Sequence, residues 1–178
     1  MIFMITREVM IPEGVSVTIS GSMIKISGPK GEVEKRLQLT KDTKVERVEN
    51  KVVISSESER RKVAALVGTI AAHVRNALKG VTEGFTYKLK VCFSHFPATV
   101  KVENDKVIIQ NFLGERKPRV AKVLGKSQVK VEGPVITVSG IDLDEVSQTA
   151  ASIERATRIV GYDRRRFQDG IFIVSKGE

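Results

Sequence analysis

The chain states one pattern twice, and that repetition narrows the folds open to it more than any other feature. In the first statement, Val15 to Ser20 (VSVTIS) alternates apolar and polar residues, Gly21-Ser22 interrupts, and Met23 to Ser27 (MIKIS) alternates again, which predicts a hairpin. GPKG (Gly28 to Gly31) makes a turn with Pro29 preset at its second position, and Glu32 to Leu39 continues as a third strand. Two short strands, Val45 to Val48 and Lys51 to Ser55, flank a turn at Glu49-Asn50. A helix follows. Ser56 and Glu59 have capping-box spacing, Val63, Leu66, Val67, Ile70, Val74 and Leu78 form one apolar stripe, and Gly80 stands where a left-handed terminus is expected.

The second statement runs in the same order. Thr99 to Asn104 and Lys106 to Gln110 form the hairpin, NFLGE (Asn111 to Glu115) replaces GPKGE, and Arg119 to Val123 continues as a strand. Val129 to Glu132, the turn Gly133-Pro134 and Val135 to Ser139 match the strand pair before the first helix. A second helix opens on Asp142 and Glu145, turns Val146, Ala150 and Ile153 inward, and ends near Gly161. Gly31 corresponds to Gly114, Ser55 to Ser139 and Val63 to Val146, so the offset holds at 83 or 84 residues, as internal duplication requires. The expectation is an α+β protein of two tandem duplicated domains, residues 1–84 and 85–178, each a small, mostly antiparallel sheet packed against one main helix. Phe85 to Phe93 and Ile171 to Ser175 both read as strands that follow a helix, so the boundary could fall on either side of Phe85.

Constellations that carry catalysis are scarce. Cys92 is the single cysteine, which excludes an intramolecular disulfide and a multi-cysteine metal site and fits a reducing compartment. His73 and His95 are the only histidines, with no metal-ligand spacing around them; His73 reads as a helix residue and Cys92 as a small buried one. GPKGE lacks the length of a phosphate loop and opens no helix, so turn chemistry accounts for its glycines. No enzyme, cofactor or metal is expected. Met1 to Ile5 is too short for a signal-peptide core and no run reaches the length of a membrane span, so the expected address is cytoplasmic, with no membrane partner.

Charge is more informative. The formal net charge is +9 from 30 basic and 21 acidic residues, a field that favours polyanions. Total charge does not separate the halves, at +4 for residues 1–84 and +5 for residues 85–178; clustering does. Arg116, Lys117, Arg119, Lys122, Lys126 and Lys130 lie between Glu115 and Glu132 with no acid among them, and Arg155 and Arg158 precede the run Arg164-Arg165-Arg166. The planar fork of Arg suits phosphate. With no Trp and only Tyr87 and Tyr162 as tyrosines, recognition of nucleic acid through backbone and shape is expected, with little base stacking. A free-standing nucleic-acid-binding module fits the same composition.

Several long segments, in the right order, resemble a known family. HVRNALKGVTEGFTYKLKV (His73 to Val91), SHFP (Ser94 to Pro97), NFLGE, VSQTAASI (Val146 to Ile153) and RRFQDGIFIVSK (Arg165 to Lys176) are similar to segments of large-subunit ribosomal protein L six in its archaeal and eukaryotic branch, with Phe172 where Tyr is commoner. The opening IPEGVSVTI and GPKGE match as well, and the bacterial YKGKG-type terminus is absent. The resemblance implies a non-catalytic protein of the cytoplasmic ribosome, made of two duplicated domains, with no homo-oligomer. It also implies binding to large-subunit ribosomal RNA, chiefly through the second domain, beside the sarcin-ricin loop, near the base of the factor-binding stalk and among neighbouring large-subunit proteins. By motif, Ser94, His95, Gln148, Arg164, Arg165, Arg166 and Lys176 are the first choices for RNA contacts. Arg116, Lys117 and Arg119 are second choices resting more on charge. His95 could equally stabilise its loop.

Overall fold

Alternating burial along each strand follows the alternating sequence pattern, and the computed structural model describes residues 5–58, 60–163 and 165–177. The chain divides into two units between Gly84 and Phe85. It is α+β throughout, and every described strand pairing is antiparallel.

The first unit contains β1 (Ile5–Met10), β2 (Ser16–Ser20), β3 (Met23–Gly28), β4 (Gly31–Arg36), β5 (Thr43–Val48), β6 (Lys51–Ser56) and α1 (Arg61–Thr82). Its strands divide into two three-stranded sheets, ordered β2-β3-β4 and β1-β6-β5. Strand β1 was not expected from the sequence. Helix α1 packs on both sheets, burying Val67, Ile70 and Val74 against a core that includes Ile24, Ile26, Val52 and Ile54.

Two helix boundaries differ from the sequence pattern, each because a distant strand competes for the residue. Ser56 does not cap α1. It is buried at the end of the central strand β6, opposite Ile5 and Thr43, and its hydroxyl accepts the Ser58 N–H at 3.3 Å. The helix starts at Arg61 with no side-chain cap, and Glu59, the other half of the expected box, lies outside the described residues. Nor does Gly80 end the helix. It is a buried helical residue, and the left-handed glycine is Gly84, with φ 77°. The GPKG turn explains the extra length: the Lys30 N–H bonds the Val81 carbonyl at 3.0 Å and the Lys30 ammonium bonds the Glu83 carbonyl. A Cβ on Gly28 would fall 2.8 Å from Val81 Cγ2, so only glycine lets the strand approach the helix end this closely.

The second unit contains β7 (Phe85–Cys92), β8 (Thr99–Glu103), β9 (Lys106–Gln110), a 3-10 turn (Phe112–Gly114), β10 (Arg119–Lys122), β11 (Gln128–Glu132), β12 (Val135–Gly140), α2 (Leu143–Ala156) and β13 (Gly170–Ser175). Its sheets are ordered β10-β9-β8 and β11-β12-β7-β13. Leu89, Ile109, Ile136, Val146, Ala150 and Ile153 form one core cluster with α2 packed on β7, β10, β12 and β13. Asp142 caps α2 by accepting the Asp144 N–H at 2.9 Å. Glu145 turns to the chain before β11, where its carboxylate accepts the Lys126 N–H at 2.9 Å. The helix ends at Ala156, short of the expected Gly161, because Thr157 bonds back to the Glu154 carbonyl with both its amide and its hydroxyl.

Strand β7 pairs with β12 as β1 pairs with β6, so FTYKLKV corresponds to the first strand of the repeat and not to IFIVS. Among the described residues, strand β13 is an addition found only in the second unit, on the free edge of β7.

Candidate nucleic-acid interface

Three of the segments singled out in the sequence meet at one place in the second unit. Asp169, at the mouth of β13, is 3% exposed, and its carboxylate gathers the SHFP loop. Oδ1 accepts the Ser94 N–H at 2.6 Å and the His95 N–H at 3.3 Å, and Oδ2 lies 2.9 Å from His95 Nδ1 and accepts the Ser94 hydroxyl at 3.3 Å. Burial pushes this carboxyl up, but the hydrogen bonds from His95 and from the Ser94 and His95 amides outweigh it and hold the group below the ordinary Asp value. From the other side, Asn111 of NFLGE donates its side-chain amide to the Pro97 carbonyl at 3.1 Å, and the Phe96 ring lies over Gly114.

Ser94, His95 and Asp169 are the residue types of a hydrolytic triad, yet the geometry cannot activate a nucleophile. The serine hydroxyl is 3.0 Å from Nδ1, the same nitrogen that faces Asp169. A proton relay needs serine and carboxylate on opposite ring nitrogens. The cluster is therefore a brace. It leaves His95 Nε2 without a partner among the described residues, as an acceptor in the neutral ring and a donor in the cation.

The connection from α2 to β13 supplies the remaining parts. Asp163 accepts the Arg165 N–H (3.0 Å) and its guanidinium (3.2 and 3.1 Å), while the Asp163 carbonyl takes the amides of Arg166 and Phe167. The Arg165 guanidinium, and after it the Arg165 amide, hold the Asp163 carboxyl below its ordinary value. Phe167 then stacks on His95, with ring centroids 4.6 Å apart at 27°, and Tyr162 tilts against Phe167 at 4.8 Å. Behind this loop a cleft of about 790 Å³ is lined by Cys92, Arg155, Arg158, Phe167, Gln168 and Phe172, among others.

The expected contact residues fall into separate positions. Ser94 and His95 form the braced loop. Arg116 and Lys117 follow the 3-10 turn, exposed and without an ion-pair partner among the described residues, and Arg166 is likewise open. Arg119 has another occupation. Its fork bonds Glu115 at 2.8 and 2.5 Å, Nη1 reaches the Ala156 and Arg158 carbonyls at 3.0 Å each, and the guanidinium sits 4.5 Å above the Phe112 ring. The pair holds Glu115 below and Arg119 above their ordinary values, mainly through the hydrogen bonds between them. Gln148 is exposed mid-helix and lines a shallow groove with Lys122, Leu124, Ser152 and Arg155. Lys176 follows the far end of β13, roughly 24 Å along the strand from Asp169 at about 3.4 Å per residue. Arg164 lies outside the described residues.

Two features were passed over in the sequence. Asp169 was present in RRFQDG but unmarked, since nothing local says that a carboxylate before a strand will be buried. Arg60-Arg61-Lys62 is a third run of exposed cations, at the start of α1, in a unit whose cations otherwise looked scattered.

The comparisons agree with the duplicated architecture. A family model described as ribosomal protein L6 matches residues 11–84 and again residues 96–170, once in each unit. The large ribosomal subunit protein uL6 of Methanosarcina mazei is 49% identical over 97% of both chains. That of Aeropyrum pernix is 48% identical over 97% of this chain and 94% of its own, and that of Methanothrix thermoacetophila is 47% identical over 97% of both. Matches of this identity and coverage, repeated in both halves, show that the chain belongs to the ribosomal protein L6 family.

Proposed function

We propose that this chain is a structural constituent of the large ribosomal subunit, working in the cytoplasm, that binds large-subunit ribosomal RNA chiefly through residues 85–178. The family is one of structural ribosomal proteins, not enzymes. The observation that carries the reading is the convergence of SHFP, NFLGE and RRFQDG into mutually braced loops that hold exposed cations at their margins. Such loops suit phosphate, because the cations need no reordering of their support when they bind. Within this reading Ser94, His95, Arg116, Lys117 and Arg166 face the RNA, Arg119 and Arg165 hold their loops through Glu115 and Asp163, and Gln148 and Lys176 are separate contacts. The location beside the sarcin-ricin loop and the stalk base, among other large-subunit proteins, belongs to the same proposal.

The experiment is sedimentation of the tagged chain from a gentle archaeal lysate. Migration with large subunits, abolished by ribonuclease or high salt, is the expected result, and crosslinked RNA fragments should map to the sarcin-ricin region. Free migration would sink the proposal in favour of a free-standing nucleic-acid-binding module.

A further inference from the structure

The low aromatic content hides how the exposed rings are distributed. Among the described residues, the exposed aromatic side chains are Phe93, Phe96, Tyr162 and Phe172, all in the second unit, and all but Phe172 lie on the SHFP loop or on the loop that braces it. Tyr162 ends a column built from the interior outwards. Buried Asp169 holds His95, His95 stacks on Phe167, and Phe167 backs Tyr162, which is 53% exposed. A ring ordered in this way loses little further freedom when something stacks on it. Three and four residues on, Arg165 is paired with Asp163, whereas Arg166 is exposed with no ion-pair partner among the described residues, a cation close in sequence for the phosphate of a nucleotide stacked on Tyr162. A purely structural column would have its outer ring covered; this one leaves its outer ring exposed.

We propose that Tyr162, backed by Phe167 and His95, is a stacking platform for an unpaired base of the bound RNA, with Arg166 on a flanking phosphate. This rests on the RNA-binding reading above and adds base contact to recognition that the sequence attributes to backbone and shape. It also gives the His95 brace a purpose beyond loop stability.

The chain has no Trp and two tyrosines, so in full-length Tyr87→Phe protein Tyr162 alone emits. Its emission is followed during titration at low salt with an archaeal large-subunit ribosomal RNA transcript, corrected for RNA absorption, and in parallel with heparin, a polyanion without bases. RNA should quench Tyr162 and heparin should not. Tyr162→Leu should weaken RNA binding by roughly tenfold, the scale of one lost base–aromatic stack, while Tyr162→Phe keeps it. RNA binding with emission unchanged, equal quenching by heparin, or wild-type affinity in Tyr162→Leu would overturn the platform and leave the RNA-binding reading standing. No binding of the transcript by the parent chain would sink that reading, and the platform with it.

Discussion

Asp169 takes four hydrogen bonds on one buried carboxylate, two of them from main-chain amides that have no other acceptor in the SHFP loop. A carboxylate so placed contributes more when ionised, since its donors are set for a charged acceptor. Asp169→Asn should destabilise the second unit at pH 7 by about 1–3 kcal/mol, read as a lower urea midpoint. Both tyrosines lie in that unit, so their emission reports its unfolding without signal from the first. The sign of the pH dependence follows from a folded value below the ordinary 3.8. The stabilisation is fully present above the unfolded value and is lost as pH falls through the folded one. The gap between wild type and Asp169→Asn should therefore be constant near neutrality and narrow below about pH 4. An equal gap at pH 7 and pH 3 would show that Asp169 acts through packing alone. The exposed Glu115 and Asp163 also titrate at acid pH, but both proteins share them.

Strand β13 shows how an element can depend on side chains that periodicity does not mark. It lies at the edge of its sheet, and its outward amides would be open to pairing with another chain. Helix α2 and its C-terminal cap residue answer two of them: the Ile171 N–H bonds the Thr157 hydroxyl at 2.9 Å and the Ile173 N–H bonds the Glu154 carboxylate at 3.1 Å. Thr157 is 3% exposed, so Thr157→Val leaves the Ile171 amide buried without an acceptor. It should cost about 1–3 kcal/mol, whereas Glu154→Gln, which retains an oxygen acceptor, should cost under about 1 kcal/mol. Urea titration and amide exchange at Ile171 check this; a harmless Thr157→Val would mean that water or strand movement replaces the bond. The alternating strands and the inward stripe of α2 were legible because period and burial coincide in Val146, Ala150 and Ile153. Helix α1 was less so. Ser56 has the right neighbours for a cap but is held opposite Ile5 and Thr43, and Gly80 is carried past by a helix whose end is finished by Lys30, some fifty residues upstream. Local signals cannot report partners that arrive from another strand.

For the whole molecule, the open question is which cations face the polyanion. Counting by clusters pointed to the second unit, and the structure sharpens the count by removing cations already in use. In the first unit Lys25 meets Glu32 and Glu34, Lys51 meets Glu8, and Lys44 meets Glu57, while in the second Arg119 is committed to Glu115 and Arg165 to Asp163. What remains open includes Arg116, Lys117 and Arg166 beside the braced loops, and Arg61 and Lys62 at the start of α1. The last two are the strongest rival site, because a helix opening on cations with no side-chain cap is electrostatically unfavourable by itself. Salt dependence separates the two. With about five phosphates neutralised, log affinity for the large-subunit RNA transcript should fall against log salt with a slope of roughly −3.5 to −4.5. Arg116→Gln with Lys117→Gln should make that slope shallower by about 1.4 to 1.8 and lower the affinity at physiological salt, because the counterions that each lost phosphate contact would have released stay on the RNA. Arg61→Gln with Lys62→Gln should leave the slope unchanged. Filter binding across a potassium chloride series reads both variants on the same RNA, and the reverse pattern would move the main RNA contact into the first unit.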